Sequence, residues 1–173
     1  FGLECFGWSR SLTPTRASKL GIGYARSLEE LAARSDILSV HLPLKPQTRG
    51  IISRAVLDAL PDGATVINTA RHELVDYQAL EDLIAKKGLR VGLDVFPGEP
   101  EKGSATFEAP ILGRGTVYGT PHIGASTEQA QLAIAHETAR IIRAFLTEET
   151  VPHVVNICAT SPARFVIVLR MLD

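Results

Sequence analysis

The sequence has few cysteines, almost no net charge and no long apolar run, and each deficiency excludes a class of protein. Its 173 residues include two cysteines, Cys5 and Cys158, far apart and without metal-site spacing. They indicate a reduced, cytoplasmic protein without a disulfide. The net charge of −1 gives no reason to expect nucleic acid or an anionic membrane as a partner. No apolar run approaches the ~18 residues of a membrane span, and no signal peptide is visible.

Apolar residues make up 45% of the chain and charged residues 21%, which is ordinary for a globular protein with one core. Strand-like and helix-like segments alternate along it, as in an α/β fold. The predicted strands cover residues 1–8, 22–24, 36–42, 64–68, 89–93 and 116–118. The predicted helices follow the caps Thr13, Ser27, Ser53, Asp76 and Ser126, with Glu30 and Gln129 completing capping boxes.

Three segments in the middle of the chain follow apolar, β-prone runs and end in polar, loop-prone residues. They are residues 66–71, which end on Arg71, residues 92–100, which contain Glu99, and residues 120–125, which contain His122. Open α/β sheets bind ligands outside the carboxyl ends of their parallel strands. A guanidinium, a carboxylate and an imidazole placed there would supply a carboxylate anchor, an acid that tunes a histidine, and a proton carrier.

These segments resemble the nicotinamide-dependent D-2-hydroxyacid dehydrogenases. Members of that family carry Asn-x-x-Arg after one strand, Asp-Val-Phe with Glu-Pro after the next, and Pro-His-Ile-Gly after a third. The resemblance runs from about residue 3 to the C-terminus, and three ordered motifs at matching spacing make it specific. It implies that Arg71 holds the substrate carboxylate, that His122 exchanges the hydroxyl proton, and that Glu99 sustains the histidine.

The resemblance implies hydride transfer between a D-2-hydroxy acid and NAD or NADP. It is closest to the phosphoglycerate dehydrogenase branch, which implies 3-phospho-D-glycerate as substrate, a place in serine biosynthesis, and assembly as a homo-oligomer, a dimer or tetramer. The partner is then a small 2-hydroxy or 2-oxo acid, with no metal. Two alternatives stay open: a non-catalytic cofactor-domain or dimerisation module, and a transcriptional corepressor of related fold.

A glycine-rich phosphate turn is missing. No G-x-G-x-x-G motif occurs before Arg10, and the cluster at residues 21–23 lacks the third glycine and opens no helix. Since that turn holds the pyrophosphate, we expect a Rossmann-like parallel sheet flanked by helices, truncated at its N-terminus.

The predicted divisions are a partial dinucleotide-binding domain at 1–125, a long helix and return to the substrate-binding domain at 126–158, and a linker with one strand at 159–173. That strand either opens an ACT regulatory domain or completes another sheet.

Ser9 and Arg10 stand where NAD-preferring relatives have an acidic residue that binds the ribose. Without that carboxylate the site would tolerate a 2′-phosphate, which Arg10 could bind; the alternative is a surface arginine without a role. The resemblance also places Asp94 opposite the nicotinamide carboxamide. Further cofactor contacts are expected from His41, Leu42, Pro43, Thr48, Thr69, Ala70 and Gly124. For His41 the alternative is a core histidine with its hydrogen bonds satisfied.

One position departs from the family pattern. The residue after Arg71 is usually glycine, and here it is His72. Glycine permits backbone angles that a histidine resists. Histidine tolerates a left-handed backbone better than β-branched residues do, so the turn can survive, although the departure counts against full activity.

Overall fold

The computed structural model describes residues 2–100 and 108–153. The chain divides into two compact units, Phe1–Ser126 and Thr127–Asp173, which are described separately below. The predicted C-terminal strand, its linker and Cys158 lie outside the described residues. The predicted domain bounds at 125 and 158 remain predictions.

The first unit alternates strands and helices, and in its described residues the strands pair in parallel. The strands described there are β1 Phe6–Gly7, β2 Gly23–Tyr24, β3 Ile37–Val40, β4 Thr65–Asn68, β5 Arg90–Leu93 and β6 Val117–Gly119. Its helices are α1 Pro14–Lys19, α2 Leu28–Ala33, α3 Arg54–Asp58 and α4 Tyr77–Lys87, with two short 3₁₀ helices at His72–Leu74 and Pro110–Gly113. This confirms the predicted α/β fold with a parallel sheet.

The strands form two sheets rather than one. β1 pairs with β2, while the larger sheet has the order β3-β4-β5-β6. Several strands are shorter than predicted. β1 pairs with β2 over only two residues, Phe6 and Gly7. β3 ends at Val40, shortly before Pro43, which has no N–H to donate.

Most of the predicted caps are present. The side chains of Thr13, Ser27 and Asp76 accept hydrogen bonds from backbone N–H groups in the first turns of α1, α2 and α4. Ser53 stands at the predicted cap position of α3, but the predicted capping bond was wrong, because its side chain accepts no hydrogen bond from the first turn. The capping box at Glu30 is shifted by one residue, since its carboxylate accepts from the N–H of Arg26.

The core lies between the larger sheet and the helices. In β4 the burial alternates, so that Val66 and Asn68 are buried and their neighbours only partly so. Helix α4 buries Ala79, Leu80, Leu83 and Ile84 on one face. Each fully buried aliphatic side chain contributes about 1.5–3 kcal/mol to stability, so this shared core holds the sheet and α4 together.

The second unit contains α5, Glu128–Glu148, whose 21 residues span roughly 30 Å. The prediction of Ser126 as its cap, with Gln129 in a capping box, was wrong. The cap is Thr127, which accepts from the N–H of Ala130, because Ser126 is engaged in the preceding turn through its own N–H and the carbonyl of Ile123. Among the described residues, no helix is long and apolar enough to cross a membrane.

Candidate active site

The carboxyl ends of β4, β5 and β6 are level. Asn68 lies opposite Leu93, and Leu93 lies opposite Gly119, and these are the last residues of their strands. The loops that carry Arg71, Glu99 and His122 therefore leave the sheet at one edge, where open α/β folds bind ligands.

A buried asparagine shapes the loop that carries Arg71. Asn68 is fully buried, its Nδ2 donates to the carbonyl of Arg71 at 2.9 Å, and its Oδ1 accepts from the N–H of Ala70 at 3.0 Å. Because a buried amide needs hydrogen-bond partners, these two bonds both satisfy Asn68 and fix the conformation of the loop. The Arg71 side chain is left exposed, with Nη1 donating to the carbonyl of Ala70 at 2.6 Å. Sequence reasoning missed this role, although an asparagine closing an apolar strand was its signal.

The turn after Arg71 places no left-handed backbone at His72. Residues with positive φ that are not glycine are His122, Glu149 and His153 among those described, so His72 has an ordinary backbone. It begins a 3₁₀ turn, which any L-residue can enter, and its Nδ1 lies 3.3 Å from a carboxylate oxygen of Glu73.

The structure brings Glu99 and His122 together. Nδ1 of His122 lies 2.7 Å from Oε2 of Glu99, and the other carboxylate oxygen of Glu99 accepts from the N–H of Phe96. Glu99 is the more sheltered partner, with 19% of its side chain exposed against 47% for His122. The N–H of Phe96 thus fixes the carboxylate, while the imidazole remains accessible to a ligand.

His122 has a left-handed backbone, with φ of 54°. For a residue other than glycine this conformation costs about 1–2 kcal/mol. Such strain persists where neighbouring contacts enforce it, and it concentrates at functional sites. Here the N–H of His122 donates to the carbonyl of Thr120 at 2.9 Å, which closes a tight backbone turn at Pro121, directly before the histidine.

Asp94 is the contact that enforces this turn. It is 6% exposed, and its carboxylate accepts from Thr120 Oγ1 at 2.6 Å, from the N–H of Ile123 at 3.0 Å and from the N–H of Gly124 at 3.1 Å. Burial raises the pKa of Asp94, but these hydrogen bonds and the nearby His122 outweigh it, so the pKa lies below its ordinary value. The donors flank His122 on both sides, so Asp94 supports the histidine; its predicted contact with the nicotinamide stays a prediction.

A cleft of about 320 Å³ separates β1 from β3. Three of the predicted cofactor residues, Ser9, His41 and Leu42, line it. His41 is exposed rather than in the core, and its Nε2 is hydrogen-bonded to Ser39 Oγ at 2.8 Å.

The other predicted cofactor residues do not line this cleft. Arg10 is exposed beside it, and Thr48 closes its own loop by donating to the carbonyl of Pro43 at 2.7 Å. Thr69, Ala70, Asp94 and Gly124 lie at the edge formed by the ends of β4, β5 and β6. Within residues 2–100 and 108–153, no group of three or more His, Cys, Asp or Glu side chains is gathered as a metal site would require.

Residues 1–124 match the family model described as D-isomer specific 2-hydroxyacid dehydrogenase, NAD binding domain. The chain is 40% identical over 158 residues to a D-3-phosphoglycerate dehydrogenase of Mycobacterium bovis. It is 36% identical over 157 residues to one of Methanocaldococcus jannaschii. These alignments cover 91% and 90% of this chain but 29% of each relative, so the chain spans less than a third of their length.

Solved structures give the same result. A phosphoglycerate oxidoreductase from Vibrio cholerae O395 matches with a TM-score of 0.66 and 27% identity, over 79% of this chain and 46% of that one. The apo form of D-mandelate dehydrogenase from Rhodotorula graminis matches with a TM-score of 0.67 and 28% identity, over 85% of this chain and 42% of that one. With the family model covering most of its length, the chain belongs to the NAD binding domain family of the D-isomer specific 2-hydroxyacid dehydrogenases.

Proposed function

We propose that this chain forms the cofactor-binding and proton-transfer part of an enzyme that moves a hydride between a D-2-hydroxy acid and a nicotinamide dinucleotide. The observation that carries the proposal is the contact between Glu99 and His122, 2.7 Å long, at the carboxyl edge of a parallel sheet in a chain of this family. The similarity to D-3-phosphoglycerate dehydrogenases supports 3-phospho-D-glycerate as the substrate. Serine biosynthesis, cytoplasmic location and assembly as a dimer or tetramer remain predictions from the resemblance.

Two of the predicted cofactor contacts, Ser9 and His41, bring a hydroxyl and an imidazole to the lining of the cleft between β1 and β3, which is otherwise largely apolar. These groups can bind ribose hydroxyls, whereas the pyrophosphate requires a glycine-rich turn that residues 1–10 do not carry. When bound, the nicotinamide ring supplies the hydride acceptor, and the protein supplies orientation and proton transfer.

His122 is suited to take the hydroxyl proton. A carboxylate can only accept, so its contact with Glu99 favours the neutral tautomer that carries the proton on Nδ1. Nε2 then keeps its lone pair for the substrate hydroxyl. Once His122 is protonated, the adjacent carboxylate stabilises the imidazolium.

Arg71 is suited to hold the substrate carboxylate. Its guanidinium is exposed at the same edge of the sheet, and the loop behind it is fixed by the two hydrogen bonds of Asn68. A planar guanidinium can bind a carboxylate through two parallel hydrogen bonds, which a lysine cannot reproduce. This grip would orient the carbon that gives up the hydride.

The test is turnover of the full-length protein with a panel of D-2-hydroxy acids that includes 3-phospho-D-glycerate, followed by the absorbance of the reduced nicotinamide. We expect reduction of the cofactor with D-isomers, and highest kcat/KM with the phosphorylated acid. Turnover with other D-2-hydroxy acids but not the phosphorylated one would refute the substrate and leave the reaction class standing. Cofactor binding without turnover on any member would instead favour the non-catalytic module.

A further inference from the structure

Tyr77 makes a hydrogen bond to the segment that carries Glu99. It is the first residue of α4, directly after the cap Asp76, and its hydroxyl donates to the carbonyl of Val95 at 2.7 Å. The tyrosine is half-buried, and burial together with the negative charge of Glu99 raises its pKa. The hydroxyl therefore stays a neutral donor across the physiological range.

The Val95 carbonyl and the Phe96 N–H belong to the same peptide group. The Tyr77 hydroxyl donates to the oxygen of this peptide group, and the N–H of the same group, which belongs to Phe96, donates to Oε1 of Glu99. Oε2 of the same carboxylate meets Nδ1 of His122. The hydroxyl, the peptide, the carboxylate and the imidazole thus form one continuous chain of hydrogen bonds, with a single peptide plane between tyrosine and glutamate.

We propose that Tyr77 is a positioning residue for the Glu99–His122 pair. A hydrogen bond on a carbonyl fixes the orientation of the peptide plane and polarises the N–H on its other side, so it strengthens that N–H as a donor. Without the Tyr77 hydroxyl, the peptide can rotate, and Glu99 loses the donor that aims its second oxygen at His122. The effect of Tyr77 on catalysis rests on the proposed function, whereas its effect on the geometry of the Glu99–His122 pair does not.

The kinetic test compares Tyr77→Phe with the wild type in the full-length protein. The substitution keeps the ring, including its edge-on contact with His72, where the ring centroids are 6.3 Å apart, and removes only the hydroxyl. We expect kcat to fall about ten- to a hundredfold, because misplacing a proton acceptor by an ångström has effects of this size. KM for NAD should not change, since Tyr77 is not one of the predicted cofactor contacts. The matched control is Tyr24→Phe, in β2.

A double substitution shows whether Tyr77 acts through Glu99. If it does, adding Tyr77→Phe to Glu99→Gln lowers kcat no further, whereas independent effects would multiply. Equal loss in both backgrounds would overturn the proposal, as would an unchanged kcat in Tyr77→Phe.

Crystal structures of the wild type and of Tyr77→Phe give a readout that needs no activity. We expect the distance between Glu99 Oε2 and His122 Nδ1 to lengthen beyond hydrogen-bonding range, or Glu99 to adopt a second rotamer. An unchanged distance and rotamer would overturn the positioning role. If the wild type proves inactive on every 2-hydroxy acid, the proposed function fails while these structures still decide the role of Tyr77.

Discussion

Glu99 and His122 lie 23 positions apart in the chain, yet their side chains meet at 2.7 Å because two adjacent parallel strands end at the same level. The contact depends on a histidine with a left-handed backbone and on a carboxylate held by the N–H of Phe96. Each of these supports has a measurable consequence.

The strain at His122 predicts an inverted order of stability for two substitutions. Because φ is 54° at this position, glycine should be better tolerated than alanine, the reverse of the usual preference. We expect His122→Gly to have a free energy of unfolding higher than that of His122→Ala by about 1 kcal/mol. Urea denaturation of both variants measures this. A more stable alanine variant would mean that the backbone at residue 122 is not left-handed.

The support from Asp94 predicts an acid-dependent loss of stability. Since its pKa in the folded state lies below the ordinary value of about 3.9, Asp94 stabilises the fold above that pH and loses the contribution as the pH falls through the lower folded pKa. Asp94→Asn should lower stability near neutral pH by about 1–3 kcal/mol and flatten its decline below pH ~4. The control is Asp58→Asn, an exposed residue of α3. Parallel acid unfolding curves for wild type and Asp94→Asn would contradict this account.

Close packing at the end of β6 predicts a further loss of stability. A Cβ at Gly119 would lie 2.6 Å from a Leu112 methyl and 2.7 Å from the Phe96 ring. Gly119→Ala should therefore cost about 1–3 kcal/mol. Gly113→Ala is the matched control, because a Cβ there meets nothing within 4 Å. Equal denaturation midpoints for the two variants would show that the Phe96 ring is not held against β6.

Cofactor choice is predicted to depend on Arg10. Because no carboxylate stands at Ser9 to repel a 2′-phosphate, the full-length enzyme should use NADP at least as well as NAD. Arg10→Ala should lower kcat/KM for NADP up to about tenfold more than for NAD, since a charge-assisted hydrogen bond at an exposed site is partly screened. Arg16→Ala, on exposed α1, is the control. A strong preference for NAD that Arg10→Ala leaves unchanged would show that Arg10 has no role in cofactor choice.

Local sequence signals predicted the last residues of β2, β4 and β5, because these ends depend on patterns within a few positions, whereas β3 ends two residues earlier than predicted. The cap of α5 was misplaced by one residue, since Ser126 and Thr127 are both good caps and only the turn at Ile123 decides between them. The support from Asp94 could not be read from the sequence, because its donors lie 26 to 30 positions away. The tyrosine contact likewise joins residues 18 positions apart, and no local pattern announces it.

The central claim is that His122, paired with Glu99, exchanges the substrate proton, and its most direct test is the kcat of His122→Ala in the full-length protein. The account predicts a loss of about 10²–10⁴-fold with the Kd for NAD unchanged, because proton transfer and cofactor binding use different residues. His136→Ala, an exposed histidine of α5, should keep the wild-type kcat. A His122→Ala enzyme with undiminished kcat would contradict the assignment.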